Sequence, residues 1–149
     1  QEPFSLAETT IDDGEQMLPG ASGTVQRIDV SFTRGSAKEF GLVLRGDGAK
    51  GTRVGIRPDE GQLFVDRRKS GQTDFHESFP SLDTAPVRST SGSYELSIFV
   101  DRCSVEVFAQ DGQVTMTELI FPAENSTDLT VFATGGTATI NSLQVMRLE

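Results

Sequence analysis

The chain has 149 residues, 36% of them hydrophobic, with ten Phe, fifteen Gly, one Tyr, no Trp and a formal charge of −9. That length holds one domain with a continuous core, and the low apolar share excludes a thick α/β core in favour of thin layers with one wet face. The acidic balance excludes a partner that needs a basic footprint, whether nucleic acid or an anionic membrane surface.

The single cysteine, Cys103, excludes an internal disulfide and a cysteine-based zinc site, which leaves the redox compartment unreadable. No cofactor or metal is expected. No apolar run approaches the roughly 20 residues of a membrane-spanning helix. Gln1-Glu2-Pro3 has neither the basic nor the apolar region of a signal peptide, so the start reads as a processing boundary of something longer.

Residues 1–23 show no clear period and are assigned as a boundary or edge-strand segment. Strict apolar–polar alternation, the signature of a half-buried strand, begins with Ile28, Val30 and Phe32. It continues through Phe40, Leu42 and Leu44, then Val54 and Ile56, then Leu63 and Val65. The segment from Ser70 to Ser93 is irregular, rich in Ser, Thr, Pro and Gly, and suited to wrapping an edge. Alternation returns most strongly in Tyr94, Leu96, Ile98 and Val100, followed by Val105 and Val107. Val114 and Met116 lead to Ile120; Leu129, Val131 and Ala133 follow; the stretch from Ala138 to Leu148 alternates through Ile140 and Val145.

This makes about nine or ten strands and no convincing helix. Asp47-Gly48, Pro58-Asp59-Glu60-Gly61, Asp111-Gly112 and Gly135-Gly136 read as hairpin turns in which Gly supplies positive φ. Short strands at regular spacing favour an antiparallel sandwich or barrel over a βαβ layout. The expected fold is all-β: one two-sheet antiparallel β-sandwich over residues 1–149.

The stretch from Leu96 to Phe108, with Phe99-Val100-Asp101-Arg102 and Ser104-Val105-Glu106-Val107-Phe108, is the informative part. Asp111-Gly112 and Leu119-Ile120-Phe121-Pro122 follow it. Upstream stand Phe40-Gly41-Leu42-Val43-Leu44-Arg45, Val54-Gly55 and Gln62-Leu63-Phe64-Val65-Asp66-Arg67, and downstream Gly135-Gly136-Thr137-Ala138. These blocks, from about Val25 to Leu148, resemble the C-terminal β-sandwich of the glycoside hydrolase family 32 enzymes: levanases, inulinases and invertases. Cys103 stands where that family usually has Ser.

The resemblance implies a jelly-roll sandwich of the concanavalin A-like type, packed beside a catalytic five-bladed propeller, in an extracellular setting. The propeller's own motifs (Trp-Met-Asn-Asp-Pro, Arg-Asp-Pro and Glu-Cys) do not occur here. Glycoside hydrolysis needs two facing carboxylates, and a chance pair among 22 acidic residues is no evidence for it. The chain is therefore expected to be non-catalytic by itself. A related module family binds fructans, which points to a β-fructan or its terminal fructose as a partner, alongside the propeller.

By strand parity Glu95, Ser97, Phe99 and Asp101 share the side opposite the core, and Glu106 and Phe108 extend it. The resemblance places this hairpin beside strands carrying Arg45, Arg57, Phe64 and Asp66, also outward by parity. Carboxylates accept from vicinal hydroxyls, Arg donates a fork, and Phe covers an apolar C–H face, a mixture that suits a furanose. The candidate ligand-binding set is Asp101, Glu106, Arg102, Arg57, Asp66, Arg45 and Phe99. Cross-strand ion pairs give the same pattern, and the plainer reading of Asp101, Arg102 and Glu106 is a turn and a charge pair. The absence of Trp weakens a stacking platform, though a small puckered furanose depends on one less.

The first reading is a carbohydrate-binding accessory module for β-fructans; the alternative is a structural domain that stabilises the propeller and helps it oligomerise through an exposed Phe-rich face (Phe99, Phe108, Phe121, Phe132). A free-standing lectin is supported by the fold analogy alone. Other features have plain explanations. Arg45-Gly46-Asp47 matches an adhesion tripeptide but lies in a hairpin turn, and Asp12-Asp13-Gly14-Glu15 lacks the ligand spacing of a calcium loop. Asn125-Ser126-Thr127 is a glycosylation sequon, relevant in a eukaryotic host. His76, with no partner for catalysis in sequence, is read as a loop packing residue.

Overall fold

In the computed structural model, which describes residues 3–148, twelve strands form two six-stranded antiparallel sheets. The strands are β1 (Phe4–Ile11), β2 (Gly14–Met17), β3 (Gln26–Arg34), β4 (Glu39–Gly46), β5 (Thr52–Arg57) and β6 (Gln62–Asp66). They continue as β7 (Leu82–Pro86), β8 (Ser93–Val100), β9 (Ser104–Ala109), β10 (Val114–Leu119), β11 (Asp128–Thr134) and β12 (Ala138–Arg147). The first sheet runs β1-β12-β3-β8-β9-β10 and the second β2-β11-β4-β5-β6-β7. Among the described residues there is no α-helix, only two 3₁₀ turns at Pro19–Ala21 and Pro58–Glu60.

The alternating residues face each other between the sheets. Phe32 of the first sheet stacks 5.1 Å from Phe40 of the second, and Tyr94 meets the same ring edge-on at 5.8 Å. Around them Ile28, Ile98, Val107, Leu42, Ile56 and Leu63 are fully buried. Each such side chain contributes about 1.5–3 kcal/mol of transfer free energy. The turns behave as their residues dictate: Gly61 closes its 3₁₀ turn at φ 63°, and Gln110, Asp111 and Gly112 are all left-handed in the β9–β10 connection.

Three strands are not visible as alternation, and all three are edges. β2 is exposed along its whole length, and β7, ending in Pro86, lies inside the segment read as irregular. Such short, polar or Pro-terminated edges resist pairing with other chains. In β1, Glu8 at φ 43° breaks the period, so Phe4 and Leu6 point inward before it and Ile11 after it. β1 lies over β2 at one side of the sandwich, and β10 lies over β7 at the other.

Candidate functional site

The cross-strand registers show that the candidate set does not form one site. Strands β8 and β9 belong to the first sheet and β5 and β6 to the second, so their outward faces look away from each other across the core. Sheets stack about 10 Å apart, and outward groups on opposite sheets cannot share a small ligand. Parity tells in from out; it does not tell which sheet.

On the outer face of the first sheet, Phe99 lies directly opposite Glu106 on one side and Arg27 on the other. Phe99 meets Phe108 edge-on at 5.9 Å, and the Arg27 guanidinium stands 5.3 Å from the Phe99 centroid. Arg27 also donates to Asp29 at 3.0 Å, and Ser97 donates to the other oxygen of Asp29 at 2.7 Å. Glu95 and Glu106 are exposed. Asp101 ends this hairpin and accepts the amide of Arg102 at 2.6 Å, while its own amide donates to the Ser104 carbonyl. That is a turn-forming role, with Asp101, Arg102 and Cys103 all exposed at the tip.

The outer face of the second sheet is built differently. Gly41 and Gly55 are cross-strand partners, flanked in the same row by Phe132 and Phe64. The bare glycines let both rings lie on the sheet, where with Val43 and Leu82 they form a second apolar cluster outside the main core. Arg53 covers Phe132 at 3.9 Å and Arg57 covers Phe64 at 4.6 Å. Arg53 pairs with Glu15 at 2.8 Å and Arg57 with Glu39 at 3.0 Å. Phe132, expected on an exposed docking face, is thus fully buried. Asp66 accepts both arms of Arg68, at 2.9 and 2.7 Å; burial pushes its carboxyl up, but that fork and the Arg68 amide hold it below its ordinary value. Arg57 and Asp66 are committed to partners on their own sheet.

Arg45 departs furthest from expectation. Parity directs it outward, yet it is 4% exposed. A bulge in β4 opposite β11 sets it at φ 50° and turns its side chain into the end of the sandwich. There it donates to the carbonyls of Ser126 at 2.7 Å, Ala123 at 3.0 Å and Arg102 at 3.3 Å. It ties the β10–β11 connection and the β8–β9 turn to the second sheet, and the adhesion-type tripeptide is unavailable. His76, read as a packing residue, is instead exposed, its Nδ1 within 2.7 Å of the Ser78 hydroxyl.

The side where β10 lies over β7 carries a constellation that no single segment of sequence displays. Phe79 is buried beneath Phe75 and Phe121, at centroid distances of 4.7 and 5.6 Å, and Arg67 covers it at 4.1 Å. Phe75, Phe121 and Leu119 remain 52%, 40% and 54% exposed. Arg67 also pairs with Glu118 at 3.3 Å, and donates to the Leu119 carbonyl at 3.1 Å and to Ser81, which in turn donates to Asp83. Glu118 and Asp83 both point inward from facing edge strands.

Burial, then the hydrogen bond and charge of Asp83, push the Glu118 carboxyl from 4.5 up to about 7, against the pull of Arg67. A carboxyl raised on folding makes the folded state the tighter proton binder, so its contribution is full below the unfolded value and is lost as pH rises through the folded one. Urea midpoints of the wild-type protein are therefore expected to fall between pH 4.5 and 7 relative to those of Glu118→Gln. Parallel curves for the two proteins would remove Glu118 as the source.

Comparison with known proteins bears on what these surfaces serve. The family model described as "Glycosyl hydrolases family 32 C terminal" matches residues 3–147. A levanase of Bacillus sp. (strain L7) is 39% identical over 91% of the chain, and an extracellular exo-inulinase of Aspergillus ficuum 36% identical over 89%. The chain spans 15% and 25% of those two proteins. The crystal structure of exo-inulinase from Aspergillus awamori superposes with a TM-score of 0.89 at 32% identity, over 98% of this chain and 29% of that one. Fructan 1-exohydrolase IIa from Cichorium intybus, at 15% identity, covers 100% of this chain and 36% of its own with a TM-score of 0.85; it shares the fold. The chain belongs to glycoside hydrolase family 32, as the C-terminal β-sandwich and not the catalytic propeller.

Proposed function

We propose that the chain acts as a non-catalytic module of a fructan-cleaving enzyme, bracing a family 32 catalytic domain through the edge where β10 meets β7. The observation that carries this reading is the exposed pair Phe75 and Phe121, seated on buried Phe79 under the Arg67 guanidinium, with exposed Leu119 held nearby through its carbonyl on Arg67. Rigid apolar groups turned to solvent from a well-packed base are the chemistry of an interface core. The relatives carry this domain within chains four to seven times its length, consistent with a catalytic neighbour in the same polypeptide. The printed names "levanase" and "extracellular exo-inulinase" support β-fructan as the substrate of the assembly and a secreted setting.

Co-expression with a family 32 propeller tests the brace. The sandwich is expected to co-purify with the propeller and raise its melting temperature. Phe75→Ser with Phe121→Ser is expected to weaken that association tenfold or more without unfolding the sandwich, because both side chains are exposed. A propeller whose melting temperature ignores the sandwich would sink the proposal.

A second role, direct contact with fructan, draws support from the other end of the chemistry. The outer face of the first sheet presents hydroxyls and carboxylates beside Phe99 and Phe108, where the second sheet's outer face is closed by its own arginines. Both roles are compatible in one domain.

A further inference from the structure

The registers of the first sheet line up outward residues in rows across the strands. One row runs Ser5, Gln144, Asp29, Ser97, Phe108, Thr115. The next runs Ala7, Ser142, Ser31, Glu95. Where these rows cross β12, β3 and β8, the short side chains of Ser142, Ser31 and Ser97 stand beside the longer Gln144, Asp29 and Glu95, with Ala7 continuing the second row on β1. The sheet is therefore hollowed there into a trough of about 610 Å³. A β-bulge at Asn141 bends β12 beside it, and Asn141 is spent on Ser31 and Thr33.

The trough's polar groups are set rather than loose. Asp29 is held by Arg27 at 3.0 Å and Ser97 at 2.7 Å, which fixes its carboxylate while lone pairs still face outward. Glu95 stands on the facing strand, its side chain exposed and without a hydrogen bond within the described residues. At one end Phe99 and Phe108 meet edge-on, both half-buried. Three carboxylates, Asp29, Glu95 and Glu106, stand against one guanidinium, Arg27. That balance repels a polyanion. A protein partner would need an apolar patch centre, which a floor of serine, amide and carboxylate side chains lacks. A neutral chain dense in hydroxyls satisfies both conditions: its hydroxyls donate to the carboxylates and exchange bonds with the serines, and a C–H face rests on the Phe pair.

We infer that this trough across β12, β3 and β8 is a binding site for a neutral polyhydroxylated chain, with Asp29 and Glu95 as acceptors and Phe99–Phe108 as its apolar end. The inference rests on the sugar-contact role proposed above, and names the site and the residues that perform it. Of the seven residues singled out in sequence it retains only Phe99 and Glu106, at the rim. Asp29, Ser97 and Ser31 were legible as outward by parity, but nothing local pairs β3 with β8.

The test is affinity electrophoresis of the 149-residue protein in gels containing levan or inulin, with calorimetry on short fructo-oligosaccharides. Wild-type protein is expected to be retarded by at least one of the two polymers. Ser142→Tyr, which fills the trough from an exposed position, is expected to weaken binding tenfold or more, and Glu95→Ala several-fold. Arg68→Ala, on the second sheet, is expected to change nothing. Retardation that survives both trough variants would overturn the site and leave sugar contact standing elsewhere on the domain. Absence of wild-type binding at millimolar oligosaccharide would overturn the sugar-contact role itself. Glu95→Ala removes only an exposed side chain, so the site stays testable even if Ser142→Tyr fails to fold.

Discussion

Gly41→Ala is expected to destabilise the protein by about 3 kcal/mol or more, read as a lowered urea midpoint at unchanged m-value. A Cβ at Gly41 would run into the carbonyl oxygen of Val54 on the neighbouring strand, and backbone cannot swing aside as a long side chain can. At Gly55 it would stand 2.6 Å from the Phe40 oxygen and 2.9 Å from the Phe64 ring. Gly55→Ala would lift the Phe64 ring off the sheet, and Gly41→Ala would force β4 and β5 apart beneath the cluster of Phe64, Phe132 and Val43. Gly46→Ala, in the same β4 strand, provides the contrast. Its nearest neighbour would lie at 3.4 Å, an ordinary contact, so the change is expected to stay within about 1 kcal/mol. Equal midpoints for Gly41→Ala and Gly46→Ala would refute the account of the second sheet's outer face.

Arg45→Met is the second large effect, expected at about 3 kcal/mol, because it keeps much of the buried volume and deletes every donor. The carbonyls of Ser126, Ala123 and Arg102 would lose the guanidinium together, at the closed end of the sandwich. Arg45→Lys is expected to recover little, since a single ammonium cannot span three acceptors set for a planar fork. Amide exchange separates this from a general loss of packing: protection should fall first in the 101–104 turn and around residues 123–127. Uniform loss across both sheets would argue that Arg45 fills space without pinning those loops.

The core strands were legible because burial on one face imposes a period of two: β3, β8 and β9 obey it throughout and β12 on either side of its bulge, while β4, buried on both faces, shows the period in its residue types alone. Edges escape this rule. β2 has no buried face, and β1 changes phase at Glu8. The candidate site was less legible, for separable reasons. Parity assigns a direction to Arg57, Asp66, Phe99 and Glu106 correctly, but pairing between sheets depends on long-range register that no local segment encodes. Arg45 fails even on direction, because a bulge reverses the parity beyond it. Phe132 points outward as read and is still buried, since direction says nothing about the Arg53 that covers it. The Arg67, Glu118 and Asp83 group joins β10 to the β6–β7 connection and β7, in a region where β7 itself showed no alternation.

The stretch Phe4–Met17 borders both sheets at once, β1 pairing with β12 and β2 with β11. During synthesis the first strand of this domain therefore waits for the twelfth. Phe4 cannot meet Val145 until nearly the whole domain has emerged. The other ten strands can assemble among themselves in the meantime, but the margins of β12 and β11 stay open until β1 and β2 seal them. Closure of so distant a pair is costly in chain entropy and slow. The time this domain spends vulnerable to sticking is thus set by Phe4–Met17, fourteen residues of which Ile11 alone is buried in the core.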